Sequence, residues 1–219
     1  MFFFNFLRIF YDMKKIVGII ANTLGFDSLN PFDDKYFGQN QYVEAVLKNG
    51  GIPIIIPAVN LKLNYDALKI CDAFIITGGK KYHKYHFLAV DYALKSGKKL
   101  LGICMGMQII GMYFNNDYDE KSLKYIDSHY FDQVTHHNKE LLIHDVNFDK
   151  GSILYSLFGS YLKVNSIHKQ VLKYVCFPLK ISGKYNDVIE TVEYKNILGV
   201  QFHPELMKEG NKLFKWLLI

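Results

Sequence analysis

The chain has 219 residues, half of them hydrophobic and 16% aromatic, and its formal net charge is +5. This composition supports one domain with a substantial core and excludes a disordered chain, while the scattered lysines do not predict a nucleic-acid groove. Three cysteines without close spacing (Cys71, Cys104 and Cys176) predict neither a disulfide framework nor a zinc site, and they fit a reducing, cytoplasmic compartment. No apolar run approaches the roughly 20 residues of a membrane helix, so no membrane partner is expected.

The first twelve residues, Met1–Asp12, are mostly aromatic and apolar. They lack a basic region before the apolar part and a small-residue cleavage site, which argues against a signal peptide. We expect an extension that comes from an upstream start-codon assignment or is ordered but dispensable; a docking or membrane-surface segment is the alternative. A single domain is predicted over Met13–Ile219.

Strands and helices alternate in the next part of the chain. Short apolar runs predict buried strands, helical spacing predicts helices, and a segment rich in Asn, Asp, Gly and Pro predicts a loop over Asn22–Gly38. The predicted strands are Lys15–Ala21, Ile52–Pro57 and Ala73–Thr77, and the predicted helices are Gln39–Lys48 and Tyr65–Ile70. This alternation predicts an α/β fold in which a mostly parallel sheet is flanked by helices on both faces.

Two glycines, Gly78 and Gly79, follow the third predicted strand. Ligands of parallel sheets bind at the carboxyl ends of strands, so a glycine N–H there can contribute to an oxyanion hole. A simple turn is the alternative explanation. A basic and aromatic run, Lys80–His86, separates the glycines from a predicted helix at Phe87–Lys95.

A nucleophile pattern lies in the stretch Lys99–Gln108. An apolar run ends there in Gly-Ile-Cys-Met-Gly, and a cysteine between two glycines at a strand-to-helix turn is typical of a nucleophile elbow. Unpaired N–H groups at the start of the helix favour the thiolate of Cys104, and the N–H of Met105 would join that of Gly79 in the oxyanion hole. Considered alone, Cys104 could instead be a buried core residue.

The second half of the chain contains further predicted elements. The helix after the cysteine spans Gly106–Phe114, and the polar segment after it contains three histidines, but no carboxylate or cysteine spacing there supports a metal site. These histidines are His129, His136 and His137. Strands at Lys139–Phe148 and Ser160–Ser166 are predicted to form an antiparallel addition, followed by a turn at Gly183–Asp187, a strand at Val188–Tyr194 and a helix at Leu206–Ile219.

A second apolar run ends in His203-Pro204-Glu205. Side chains two residues apart leave the same side of an extended backbone, and Pro204 keeps this segment extended. His203 can then face a cysteine as its base while Glu205 accepts a hydrogen bond from the other ring nitrogen. A surface His and Glu at a strand end would explain this stretch alone; together with Cys104 it predicts a Cys-His-Glu triad.

These two stretches, Gly102–Gln108 and Gly199–Glu205, resemble the class I glutamine amidotransferase-like superfamily. Three further stretches resemble its γ-glutamyl hydrolase (peptidase C26) branch, the group that contains γ-glutamyl-γ-aminobutyrate hydrolase. They are Tyr42–Pro57, Val164–Gln170 and Asp187–Glu190. The resemblance covers roughly Met13 to the C-terminus and implies a three-layer, flavodoxin-like α/β fold with a small antiparallel addition.

The resemblance implies hydrolysis of γ-glutamyl amide bonds through a thioester on Cys104, without a metal or organic cofactor. It assigns catalysis to Cys104, His203 and Glu205, and the oxyanion hole to Gly79 and Met105. It places Gly78, Gln108, Ser166 and His168 in contact with a small γ-glutamyl substrate, although packing or a buried polar turn remains the alternative for each. The resemblance leaves open whether the protein forms a homodimer.

Several departures bear on the substrate. The family's loop Gly-Gly-x-Asp-x-x-Pro-x-x-Tyr is shortened after Gly79 to the Lys80–His86 run, which either favours an acidic leaving group or is a solvated loop. The Arg that often follows the family's cysteine is Met105 here, and the Gly before Val188 is absent. Two alternatives are therefore kept: a glutaminase subunit that delivers ammonia to a synthase, and a catalytically retired binding protein.

Overall fold

The structure is a computed structural model that describes residues 14–24, 35–37, 40–126 and 142–219. The predicted extension Met1–Asp12, most of the loop Asn22–Gly38 and the histidines His129, His136 and His137 lie outside the described residues.

Nine of the strands in the described residues form one mixed sheet, in the order β11-β10-β13-β14-β15-β8-β7-β1-β4. The strands in chain order are β1 (Ile16–Ile20), β2 (Asn22–Leu24), β3 (Lys35–Phe37), β4 (Ile52–Ile56), β5 (Ala58–Val59), β6 (Lys62–Leu63), β7 (Ala73–Ile76), β8 (Lys99–Ile103), β9 (Leu123–Tyr125), β10 (His144–Phe148), β11 (Tyr161–Val164), β12 (Gln170–Leu172), β13 (Lys180–Tyr185), β14 (Val188–Tyr194) and β15 (Ile197–Val200).

The sheet has a parallel half and an antiparallel half. Strands β4, β1, β7, β8 and β15 run parallel, whereas β14, β13, β10 and β11 continue the same sheet with antiparallel pairing. The predicted α/β class with flanking helices is confirmed, and the predicted antiparallel addition continues the main sheet. The carboxyl ends of β7, β8 and β15 therefore meet at one edge, where parallel sheets bind ligands.

Helices cover both faces of this sheet. They are α1 (Asn40–Lys48), α2 (Tyr65–Ile70), α3 (Lys84–Ser96), α4 (Met105–Phe114), α5 (Ile153–Phe158) and α6 (Asn211–Leu218). Alternate residues of β7 enter opposite cores: Phe74 and Ile76 pack in one cluster with α3 and α4, and Ala73 and Ile75 pack in the other with α1 and α6. This is the two-residue period of a strand buried on both faces.

The structure corrects the predicted turn at Gly183–Asp187. Residues 180–185 belong to β13, and the reversal occurs at Asn186, whose φ is 50°. The pairing of β13 with β14 shifts register on either side of Gly183, and a Cβ there would approach the Thr191 hydroxyl to 2.6 Å. Gly183 therefore marks a bulge inside a strand, a position that sequence patterns easily confuse with a turn.

Other boundaries also differ from prediction. The last helix begins at Asn211 instead of Leu206, because Pro204–Leu206 forms a short 3₁₀ helix and Met207 is extended. Helix α3 begins at Lys84, inside the run predicted as a loop. The strand pairs β2–β3 and β9–β12 were not predicted. Among the described residues, no helix is long and apolar enough to cross a membrane.

Candidate active site

Cys104 occupies a strained turn between β8 and α4. Its φ of 53° and ψ of −107° lie outside the regions that side chains other than glycine favour, and such a conformation costs about 1–3 kcal/mol. Its backbone N–H donates to the Val200 carbonyl at 2.8 Å, which ties the turn to β15. A Cβ on Gly106 would collide with the carbonyl oxygen of Ile76, so glycine is needed there for the helix to start so close to β7.

His203 comes to the same sheet edge because β15 lies beside β8. Val200 pairs with Ile103, and His203 follows three residues later. The Nδ1 atom of His203 lies 2.6 Å from Oε1 of Glu205, so the carboxylate orients the ring. Burial lowers the pKa of His203, but the charge of Glu205, together with the charge and hydrogen bond of Cys104, raises it well above its ordinary value. This arrangement favours the imidazolium form of His203.

Asn165 fixes the backbone of His203. Its Oδ1 accepts the His203 N–H at 2.8 Å and its Nδ2 donates to the His203 carbonyl at 2.9 Å. Asn165 is fully buried and directly follows β11, which ends at Val164. The family resemblance placed this stretch at the site, but the amide's role as a clamp on the base could not be predicted from one sequence.

Gly78 contacts the triad directly. Its N–H donates to the hydroxyl of Tyr42 at 3.0 Å, and a Cβ on it would lie 2.8 Å from Cε1 of His203. Burial, followed by the charge of Glu205, raises the pKa of Tyr42 well above its ordinary value, which keeps the hydroxyl neutral beside that carboxylate. Tyr42 was not singled out as a site residue, although it begins one of the family-like stretches; an isolated tyrosine on a helix gives no other signal.

The N–H groups predicted for the oxyanion hole belong to Gly79 and Met105. Within the part of the chain that the structure describes, neither N–H donates to a protein acceptor, whereas the N–H of Gly78 is taken by Tyr42. Met105 is the first residue of α4, so its N–H is among those that a helix leaves unpaired. A Cβ on Gly79 would lie 3.0 Å from Cε and 3.2 Å from Sδ of Met105, so the end of the Met105 side chain lies beside Gly79. Their role in the reaction stays a prediction.

A cavity of about 440 Å³ opens at Cys104. Its lining comprises Gly79, Lys80, Cys104, Gln108, Tyr125, Ile167, His168, Lys169 and Gln170. Of the four predicted substrate contacts, Gln108 and His168 line this cavity. Gly78 and Ser166 are not part of its lining: Gly78 packs against the triad and Ser166 is fully buried. The Gln108 amide donates to the Gln170 carbonyl at 2.8 Å and to Oε1 of Gln201 at 3.3 Å, so it also holds the cavity wall in place.

A buried carboxylate lies behind His168. The Oε1 atom of Glu190 is 3.7 Å from Nε2 of His168 and 3.3 Å from Nε2 of His144. Burial raises the pKa of Glu190, and the neighbouring His144 opposes that effect. The two histidines and the carboxylate therefore form a buried cluster behind the wall of the cavity. In the described residues, no group of three or more His, Cys, Asp or Glu side chains is arranged to hold a metal ion.

Comparison with known proteins identifies the family of this chain. The Peptidase C26 profile matches residues 15–89 and 81–205, and the chain belongs to that family. A Schizosaccharomyces pombe protein that bears the name of a glutamine amidotransferase is 29% identical over 230 residues, which cover 91% of this chain and 85% of the relative. The CTP synthase of Thermosipho africanus is 27% identical over 253 residues, but that match covers 95% of this chain and only 46% of the synthase.

Solved structures share the fold. A Thermoplasma acidophilum protein described as a GMP synthase component superposes with a TM-score of 0.68 at 15% identity, and 94% of each chain is covered. The glutaminase domain of the Trypanosoma brucei CTP synthase, with bound acivicin, superposes with a TM-score of 0.67 at 16% identity, covering 93% of this chain and 91% of that domain. These likenesses confirm a class I glutamine amidotransferase fold.

Proposed function

We propose that this protein hydrolyses γ-glutamyl amide bonds through a thioester on Cys104. Membership of the Peptidase C26 family and its relatives support an activity on carbon–nitrogen bonds. The observation that carries the proposal is that Cys104 and Gly79 line one cavity and that the buried His203–Glu205 pair interacts with Cys104. A nucleophile, an oriented base and oxyanion donors are the parts that acyl transfer needs.

The proposed reaction has two steps. The Cys104 thiolate attacks the γ-carbonyl carbon, and the N–H groups of Gly79 and Met105 receive the negative charge on its oxygen. The imidazolium of His203 protonates the nitrogen, the carbon–nitrogen bond breaks and the free amine leaves, so that a γ-glutamyl thioester remains. The now neutral His203 accepts a proton from water, the hydroxide attacks the thioester, and cleavage of the carbon–sulfur bond releases glutamate and restores the thiolate.

The leaving group is proposed to carry negative charge. Two lysines, Lys80 and Lys169, line the cavity together with His168, and none of the described residues that line it is acidic. A carboxylate on the amine portion of the substrate would be attracted to these lysines. A panel of γ-glutamyl amines that differ only in the charge of the amine tests this preference, and equal kcat/KM across the panel would contradict it.

The first experiment measures covalent labelling of Cys104 by 6-diazo-5-oxo-norleucine, an electrophile directed to γ-glutamyl sites, with intact-mass detection. Cys176 is exposed and Cys71 is buried, so a Cys176→Ser background removes the accessible competitor. We expect labelling that is absent in Cys104→Ser and slowed in His203→Ala. A Cys104 that reacts no faster than a free thiol would contradict the hydrolase proposal and favour a catalytically retired binding protein.

A second candidate function is a glutaminase that supplies ammonia to a synthase. The matches to CTP synthase and to its glutaminase domain favour it, since those matches span nearly all of this chain. Both candidates require the same thioester, so labelling alone does not separate them. Steady-state turnover does: hydrolysis of γ-glutamyl amines by the isolated chain supports the hydrolase, whereas glutamine turnover that appears only with an added synthetase supports the glutaminase.

A further inference from the structure

The Gly78–Gly79 turn is held from behind by a buried side chain. Asn22 lies two residues after the end of β1, and it is 4% exposed. Its Nδ2 donates to the Gly78 carbonyl at 3.0 Å and to the Thr77 hydroxyl at 3.1 Å. The same nitrogen would lie 2.7 Å from a Cβ on Gly79, so the amide packs closely against the turn.

The bond to the Gly78 carbonyl fixes the direction of the Gly79 N–H. Both groups belong to one peptide unit, which is planar, and in a trans peptide the C=O and N–H point in opposite directions. An amide that anchors the carbonyl oxygen on one side therefore aims the N–H to the other side. In this structure Gly79 lies on the cavity wall beside Cys104, where the developing oxyanion would be.

His86 in turn fixes the amide of Asn22. The Nε2 atom of His86 lies 2.9 Å from Oδ1 of Asn22, and its Nδ1 lies 3.0 Å from the backbone nitrogen and 3.2 Å from the carbonyl oxygen of His83. Burial lowers the pKa of His86 to about 3, so the ring is neutral at physiological pH. Because Nδ2 of Asn22 donates to the Gly78 carbonyl, Oδ1 faces His86 and can only accept. The neutral ring therefore carries its hydrogen on Nε2 and accepts the His83 N–H at Nδ1. The Asn22 oxygen is thereby held toward His86, and its NH₂ group faces the turn.

We infer that His86 is a positioning residue of the oxyanion hole, which acts through the Asn22 amide on the peptide between Gly78 and Gly79. This inference rests on the proposed function only in requiring that the Gly79 N–H stabilises an oxyanion. The sequence offered two explanations for the Lys80–His86 run, charge recognition and a solvated loop. For His86 the structure supports neither, because its ring is fully buried behind the turn.

The experiment compares two reactions of Cys104 in variants that all carry Cys176→Ser. Acylation by p-nitrophenyl acetate passes through an oxyanion: the thiolate attacks the ester carbonyl, p-nitrophenolate leaves and an acetyl thioester forms. Alkylation by iodoacetamide displaces iodide from a saturated carbon and needs only the thiolate. Loss of an oxyanion donor typically lowers a rate by about 10²–10³-fold. A misdirected donor in His86→Phe is expected to slow acylation about 10- to 100-fold and to leave alkylation within about twofold.

Asn22→Asp supplies an independent variant if His86→Phe does not fold. The aspartate keeps an acceptor for His86 but removes the NH₂ that anchors the Gly78 carbonyl, so the same selective loss of acylation is expected. The double variant should acylate no more slowly than Asn22→Asp alone, because His86 acts through Asn22. Unchanged acylation in Asn22→Asp, equal losses in both reactions, or independent effects that multiply in the double variant would each overturn the inference.

These two reactions contain no γ-glutamyl group, which separates the inference from the proposed function. A wild-type protein that acylates normally but hydrolyses no γ-glutamyl amide contradicts the proposed substrate, and the variants still test His86. If Cys104 of the wild type is alkylated rapidly but is acylated no faster than a free thiol, no oxyanion hole operates. That result would overturn the inference.

Discussion

Asn165 holds His203 by its backbone, with one hydrogen bond to the N–H at 2.8 Å and one from its own NH₂ to the carbonyl at 2.9 Å. The base therefore does not depend on its ring contacts alone for its position. Glu205 orients the imidazole, whereas Asn165 sets the point from which the imidazole extends. Both constraints are buried, so water does not compete with them.

We expect Asn165→Asp to lower kcat by about 10- to 100-fold, since a displacement of about 1 Å can have that effect on a reacting group. The aspartate still accepts the His203 N–H but cannot donate to the carbonyl, and the lost buried bond destabilises the protein by about 1–3 kcal/mol. Steady-state kinetics and urea unfolding measure the two effects.

Asn49→Ala is the matched control. Asn49 also makes two bonds through its Nδ2, to the Ala45 carbonyl at 2.8 Å and to Oδ1 of Asn211 at 3.1 Å, and it lies outside the cavity lining. It should lower stability without changing kcat. Equal kinetic losses in both variants would mean that Asn165 acts only through overall stability.

A side chain at Gly78 should impair activity more than folding. In Gly78→Ala the new Cβ would lie 2.8 Å from Cε1 of His203 and 3.4 Å from Cβ of Cys104, so the imidazole ring must shift from its position beside Cys104. We expect kcat/KM to fall by about 10²-fold while the fold is retained, because a shift of about 1 Å at a reacting group has an effect of that size. Slowed alkylation by iodoacetamide would confirm that the His203–Cys104 pair is disturbed.

Gly50→Ala is the control, in which we expect stability to change and activity to stay the same. Gly50 has a φ of 87° and no atom within 4 Å of the added Cβ, so the substitution introduces backbone strain without a clash. Its unfolding free energy should fall by about 1 kcal/mol, with unchanged kcat/KM. A normal kcat/KM in Gly78→Ala would show that the ring tolerates the displacement, which would contradict the proposed close packing of the site.

The residues that approach the reacting atoms were predictable, whereas those that support them were not. Cys104 and His203 each end an apolar run, and a parallel sheet brings such ends together, so their proximity followed from the pattern. Asn22, Asn165 and Tyr42 act through hydrogen bonds between segments distant in sequence, and nothing in their local pattern specifies the partner. His86 was hidden for another reason: its basic neighbours made the run resemble a loop, although α3 begins at Lys84.

The same limit applies to the fold. The strands β1, β4 and β7 are short apolar runs between glycines, prolines or helices, and they were predicted to within one residue at each end. The strand β13 contains Gly183 at a register shift, and its alternation of buried and exposed residues is broken there. Local composition favours a turn at such a position, and only the pairing with β14 determines that the chain continues as a strand.

Removal of the Glu205 charge should lower the pKa of His203. Burial lowers the pKa of His203, and the charge of Glu205 is the largest effect that raises it. In Glu205→Gln mainly Cys104 remains to raise this pKa. In the wild type the raised pKa adds stability that is fully present below the unfolded-state pKa of about 6.5 and is lost as the pH rises through the folded-state value. Urea unfolding between about pH 6 and pH 9 should show this alkaline loss.

Glu205→Gln should show a smaller alkaline loss than the wild type, and its Cys104 should alkylate more slowly at neutral pH, because less imidazolium is present to stabilise the thiolate. Glu209→Gln is the control, since Glu209 is exposed and near in sequence but takes no part in the site. Parallel stability curves for Glu205→Gln and the wild type would contradict the charge pairing.

His86 should make the protein sensitive to acid. Burial is the main cause that lowers the pKa of His86 to about 3, and the charge of His83 lowers it further. The rings of His83, 6.3 Å away, and Tyr85 are its neighbours, and the tyrosine is uncharged in this pH range. Between about pH 6.5 and pH 3 the unfolded chain binds a proton at this position and the folded chain does not. The stability contributed by the neutral ring is therefore present above pH 6.5 and falls with decreasing pH, by up to about 1.4 kcal/mol per pH unit.

Urea unfolding of the wild type and of His86→Gln at intervals from about pH 6.5 to pH 4.5 measures this slope. Glutamine does not titrate, so the variant should lose stability less steeply even though its absolute stability is lower. The other histidines contribute equally to both proteins and cancel in the difference of slopes. Identical slopes would mean that His86 is protonated in the folded protein, in which case it could not accept the His83 N–H and hold Asn22 in the orientation described above.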